Sequence, residues 1–173
     1  QDGKVPVTNE DIICNLPYHP NCALWFDHHF GYEEVQEVAE YSGKYGVAPS
    51  AARLVFEHYD NANLNRFGEL VSETDRVDAA QLTLGDIVSP SRFVLLSYTL
   101  DPRTGLGGAF RSYFMHLLNW IKVHPIEDVL AMPEVEEKVQ AIVENEKAFQ
   151  KALQKQSKVD ENVVITDFRR LRE

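Results

Sequence analysis

The run Ala23-Leu24-Trp25-Phe26, followed at once by Asp27-His28-His29, constrains this chain more than any other stretch. Four consecutive apolar residues are too few for a helix, and Gly31 closes the run, so it reads as a parallel β-strand covered on both faces. Sheets of that kind carry their chemistry at the carboxyl ends of their strands, which is where Asp27, His28 and His29 fall. A carboxylate oxygen beside imidazole nitrogens suits manganese, iron, cobalt or zinc better than calcium. Neighbouring side chains on extended backbone point to opposite sides, so His28 and His29 are expected to divide the work, one on metal and one facing substrate. The alternative is a polar loop in which Asp27 accepts from a backbone amide and neither imidazole binds anything.

Charge narrows the partners. The chain has 173 residues, 17 Lys and Arg against 27 Asp and Glu, and a formal charge of −10. That balance argues against an extended basic surface for nucleic acid, and a phosphate ester bound here needs cations to offset the repulsion. A hydrophobic fraction of 44% supports a real core, in one large domain or one domain plus part of another. Cys14 and Cys22 are too far apart for a C-x₂-C pair and lack partners for zinc, so they read as buried free thiols. No window is apolar for long enough to span a bilayer and no signal peptide is present, which gives the expectation of a soluble, cytoplasmic setting. The chain opens on Gln1, and its last run, Asn162 to Phe168, reads as a strand beginning a new unit. Both ends are therefore expected to be cuts within a longer protein.

Along the chain, Thr8-Asn9-Glu10-Asp11 fits a capping box, while Ile12-Ile13-Cys14 fits an equally short buried strand. Glu33 to Tyr41 has helical spacing, and Gly43 and Gly46 mark a loop. Ser50 is placed to cap a helix through Tyr59, with His58 beside its apolar face in a structural role. The pattern Leu64, Phe67, Leu70, Val71 predicts a helix leading into Thr74-Asp75-Arg76-Val77-Asp78. On a helix Asp75 and Asp78 share a face, where they repel unless a cation lies between them or Arg76 screens them; a solvated helix end is the plain alternative. Ser89-Pro90 predicts the start of a helix over 92–100, and Asp101 to Gly108 a glycine-rich connection. Further helices are expected over 113–123, from Pro125 to about Met132, and over 134–156, with His116 and His124 structural.

The hexapeptide Leu24 to His29 resembles the signature of the DHH phosphoesterase superfamily. Gln1 to Val5, Asn15 to Tyr18, Pro49 to Arg53 and Asp101 to Gly107 resemble, more narrowly, its bacterial exopolyphosphatase-related branch. The resemblance implies an α/β fold, a DHH-type domain with a short, mainly parallel sheet and a large helical part, truncated at both ends. Its expected parts are a partial phosphoesterase domain over 1–110, a helical continuation and connector over 111–158, and the start of a following domain over 159–173. The implied activity is metal-dependent hydrolysis of a phosphoric ester or anhydride in polyphosphate, a short oligonucleotide or a cyclic dinucleotide, with Mn2+ as the divalent metal. By the same resemblance His28 is a metal ligand, His29 contacts the scissile phosphate, and Asp27 orients the pair or ligates. Asp78, with Asp75 as its substitute, closes the metal site. The sequence departs from the family at Asn15, which stands where a metal-bridging aspartate is expected. An upstream Asp-x-Asp motif and the C-terminal substrate-binding domain also lie outside these residues, so the 173 residues alone are expected to be inactive. The rival reading is a non-catalytic phosphate- or nucleotide-binding module that has kept the fold.

Overall fold

The computed structural model describes residues 5–31, 40–100 and 108–168. The chain forms two compact units, residues 1–89 and 90–173. Residues 92–98 pack with helices that follow them in the second unit.

The first unit is built on three parallel strands, β1 (Ile12–Cys14), β2 (Leu24–Asp27) and β3 (Gly43–Tyr45), in the order β1-β2-β3. Register pairs Cys14 with Phe26 and Asp27 with Tyr45, so the central strand carries Asp27 to the carboxyl edge. Two further backbone bonds, Asn15 N–H to Phe26 O (2.9 Å) and Gly46 N–H to Asp27 O (3.3 Å), extend the ladder past the strand ends. Both faces of β2 are covered, as its unbroken apolar run requires: Trp25, Phe26 and Asp27 are wholly buried. Trp25 lies between Tyr18 and Tyr41, stacks on Tyr45 with centroids 5.0 Å apart, and donates its indole N–H to Leu16 O. Phe26, on the opposite face, meets the edge of His58, which gives that histidine the structural role expected of it.

Strand β3 approaches β2 this closely because of Gly43. Its φ is +119°, and a Cβ there would stand 2.0 Å from Trp25 O.

Helix α1 (Ala51–Tyr59) starts where its cap predicts: Ser50 Oγ accepts from Arg53 N–H at 3.0 Å. It ends on Asp60 in the left-handed region. The helix expected from Leu64 begins as a 3₁₀ turn, Ala62–Phe67, and becomes α-helical only as α2 (Gly68–Asp78). A short α3 (Leu84–Val88) follows, opened by a full capping box between Thr83 and Asp86. Sequence periodicity missed α3 because five residues are too short to show a period. Its presence corrects the role of Ser89, which caps the carboxyl end of α3; Ser91 caps the next helix.

The second unit contains α4 (Arg92–Tyr98), α5 (Gly108–Ile121), α6 (Ile126–Leu130) and α7 (Pro133–Gln156), with a core of Leu96, Tyr113, Leu117, Ile126, Val129 and Val135. The buried Tyr113 hydroxyl lies 2.6 Å from Thr99 Oγ1, so neither polar group is stranded. His116 sits 3.0 Å from Glu134 and beside Trp120. The terminal run pairs as an antiparallel hairpin, β4 (Ser157–Asp160) with β5 (Val163–Thr166). Most of the helix expected over Glu33 to Tyr41, residues 33–39, and the connection over 101–107 lie outside the described residues. Among the described residues no helix is long and apolar enough to cross a membrane.

Candidate functional site

The carboxyl edge of the sheet gathers Asn15, the Asp27-His28-His29 triplet and the segment after β3, because three parallel strands end together there. Asp27 orders the triplet. Its Oδ1 accepts from the backbone N–H of His28 (2.8 Å) and of His29 (3.3 Å), and from His29 Nδ1 (2.7 Å). A carboxylate that only accepts leaves the proton on His29 Nδ1 and turns Nε2 outward, on a side chain 55% exposed. Tyr45 Oη donates to His29 O at 2.9 Å and holds the same turn from β3.

His28 is set by its other neighbour. Nδ1 lies 2.9 Å from Ala48 O, and a carbonyl can only accept, so this nitrogen carries the proton and Nε2 holds the lone pair. Nε2 stands 3.2 Å from Asp78 Oδ2, yet the two are not aligned as a hydrogen bond and Nε2 is buried without a partner. With neutral imidazole this is a lone pair facing a carboxylate. Asp27 Oδ2 is the other buried side-chain atom left without a partner among the described residues. Buried acceptors of this kind cost free energy unless a proton or cation joins them.

The structure separates the two aspartates that share a helix face. Asp78, from the last turn of α2, meets His28 across fifty residues of sequence. Asp75 instead is buried against α1: Ser50 Oγ donates to Oδ1 at 2.6 Å, and Arg53 Nε and Nη2 donate to Oδ2 at 2.9 and 2.6 Å. Arg76 does not screen the pair. It faces Glu73 (2.7 Å) and Asp86 (2.7 Å) on another side of the helix.

Two further readings are corrected. The His28 and His29 rings lie side by side, with centroids 4.8 Å apart, rather than on opposite faces. Strand alternation does not govern them because β2 stops at Asp27. The cysteines are free as expected, but Cys14 is exposed and Cys22 half-buried.

The donor set fits a divalent cation in kind: one buried, unpartnered imidazole nitrogen with its tautomer fixed from behind and one carboxylate oxygen 3.2 Å from it. In number it is short. Among the described residues no three His, Cys, Asp or Glu side chains are placed to hold one metal ion together. Sequence reasoning missed Ala48, Tyr45 and Arg53 as parts of the site. A carbonyl carries no sequence signal at all, and Arg53 stood only within a family-like block.

The fold is DHH-like, mixed α/β with a small parallel sheet and a large helical share. A solved structure similar to this chain is the pGpG-specific phosphodiesterase PggH from Vibrio cholerae, with a TM-score of 0.78 and 34% sequence identity. The match covers 96% of this chain and 55% of PggH, so the chain spans about half the length of that protein. No protein-family model and no curated protein matches the sequence.

Proposed function

We propose that these residues form the metal-holding part of a hydrolase that cleaves a phosphodiester in a short nucleotide. The observation that carries the reading is the pair of apposed acceptors, His28 Nε2 and Asp78 Oδ2 at 3.2 Å, with His28 Nε2 buried and unpartnered. Likeness to a phosphodiesterase supplies the reaction class. His28 and Asp78 are the proposed ligands, and Mn2+ is one of the ions that suit imidazole mixed with carboxylates. When bound, such an ion supplies polarisation of the phosphate and acidity to water. The chain's own residues do the rest. Asp27 Oδ1 holds the His29 ring with Nε2 at the exposed edge, where the protonated ring, its positive charge stabilised by Asp27, donates to a non-bridging phosphate oxygen or passes its Nε2 proton to the leaving group. The acidic surface makes the cation necessary for any anionic substrate to approach.

The proposed substrate is a linear dinucleotide of the pGpG kind. Polyphosphate, the substrate class of the exopolyphosphatase-related branch, is the alternative within the same chemistry. The free thiols Cys14 and Cys22 favour a reducing cytoplasm as the working compartment. One observation favours the non-catalytic module as a second reading: the described residues offer no closed group of three metal-capable side chains.

The test is manganese titration by calorimetry, followed by hydrolysis assays on pGpG, a short oligonucleotide, a cyclic dinucleotide and polyphosphate, using the protein as the cell makes it. Manganese binding that disappears in His28→Ala, with pGpG cleaved fastest, is the expected result. Nucleotide binding that ignores manganese, with no turnover of any substrate, would establish the binding module instead.

A further inference from the structure

Asp75 is a buried carboxylate that the proposed reaction does not use, and its contacts close a ring around His28. Ala48 O fixes His28 Nδ1 at 2.9 Å. Two residues on, Ser50 caps α1 and donates through Oγ to Asp75 Oδ1 at 2.6 Å. Arg53, in the first turn of α1, grips Asp75 Oδ2 through Nε and Nη2. One helical turn past Asp75, Asp78 Oδ2 returns to the other nitrogen of the same imidazole at 3.2 Å. Both nitrogens of His28 are therefore set by segments that Ser50, Arg53 and Asp75 tie together.

We infer that Asp75 is a positioning residue: its bonds to Ser50 and Arg53 fix the spacing between His28 Nε2 and Asp78 Oδ2, and hence the affinity of the site for a divalent cation. The inference rests on the proposed metal reading. Stability alone does not account for the cluster, because a buried ion pair returns little more than the desolvation of its own charges. Geometry accounts for it. Asp75 is 8% exposed and Ser50 1%, and a two-donor guanidinium grip admits one orientation of the carboxylate. Both Asp75 oxygens already accept hydrogen bonds, so the residue cannot turn to ligate without breaking the cluster.

The two roles open to Asp75 predict opposite signs. If it ligates, removing the Arg53 grip frees a carboxylate and manganese binds more tightly. If it positions, the same change lets α2 drift from the segment after β3 and manganese binds more weakly. Calorimetric titration of manganese into wild type, Asp75→Asn, Arg53→Gln, Arg53→Lys and Ser50→Ala measures this on folded protein. We expect roughly five- to twentyfold weaker binding for Asp75→Asn and Arg53→Gln, and a smaller loss for Arg53→Lys, which keeps the charge without the fork. Ser50→Ala removes one hydroxyl and carries the test should Arg53→Gln not fold; it too should weaken binding. Unchanged or tighter binding in these variants, while His28→Ala and Asp78→Asn still abolish it, would overturn the inference and leave the metal site standing. Wild-type protein that binds no manganese, or binds it regardless of His28 and Asp78, would overturn the metal site itself.

Discussion

His28 and His29 are neighbours in sequence with different chemistry, because each is held from a different place. Ala48 O fixes the His28 tautomer and aims Nε2 at Asp78, whereas Asp27 fixes His29 and aims its Nε2 outward. The two substitutions should therefore separate. His28→Ala should reduce manganese affinity at least tenfold, since a ligand is lost. His29→Ala should leave manganese bound and lower kcat on pGpG by roughly 10²–10⁴, the usual contribution of a positioned proton donor or acceptor. Calorimetry and steady-state kinetics read the two effects independently; loss of metal in His29→Ala would reverse the assignment.

At the scale of elements, two local devices hold the first unit in shape. Strand β3 can lie against β2 only without a side chain at residue 43, where φ is +119° and a Cβ would meet Trp25 O at 2.0 Å. Because the obstacle is backbone, Gly43→Ala should cost on the order of 3 kcal/mol, read as a lower urea midpoint at unchanged m-value. The second device is the capping box of α3. Hydrogen bonds from the Thr83 hydroxyl and the Thr83 amide, with help from Arg76, lower the Asp86 carboxyl from 3.8 to about 2. A carboxyl depressed on folding adds stability that is complete above its ordinary value and is lost as pH falls through about 2. A carboxyl-carbon NMR titration should place the Asp86 midpoint at about 2 in wild type and return it toward 3.8 in Thr83→Ala. A wild-type midpoint already near 3.8 would show that the box is open in solution.

At the scale of the whole molecule, a formal charge of −10 sets how ligands arrive. A protein that grips nucleic acid through many phosphate contacts loses roughly 10³–10⁵ in affinity between about 50 and 200 mM salt. An acidic protein that holds one short nucleotide through a cation should show little loss over that range, because salt screens the repulsion as well as the attraction. Titrating pGpG at several salt concentrations with manganese present measures this. A steep fall would reveal a local basic surface despite the net negative charge.

The sequence by itself determined what is local. The apolar run Ala23 to Phe26, closed by Gly31, reads as a buried strand, and a polar triplet placed directly after it lies at that strand's carboxyl end. Ser50 as a cap and the long α7 follow in the same way, from neighbours a few positions apart. Tertiary structure decided everything that depends on who meets whom. Asp75 and Asp78 are equivalent by helical period, and only the packing of α1 gives one to Arg53 and Ser50 and leaves the other for His28. The tautomer of His28 depends on a carbonyl twenty residues away, and a carbonyl is the same in every residue type. Strand alternation, a rule for extended backbone, was carried one residue too far at His28 and His29, where the strand had already ended. Periodicity fixes which face a side chain occupies; the charge and hydrogen-bonding capacity of whatever packs against that face fix its chemistry.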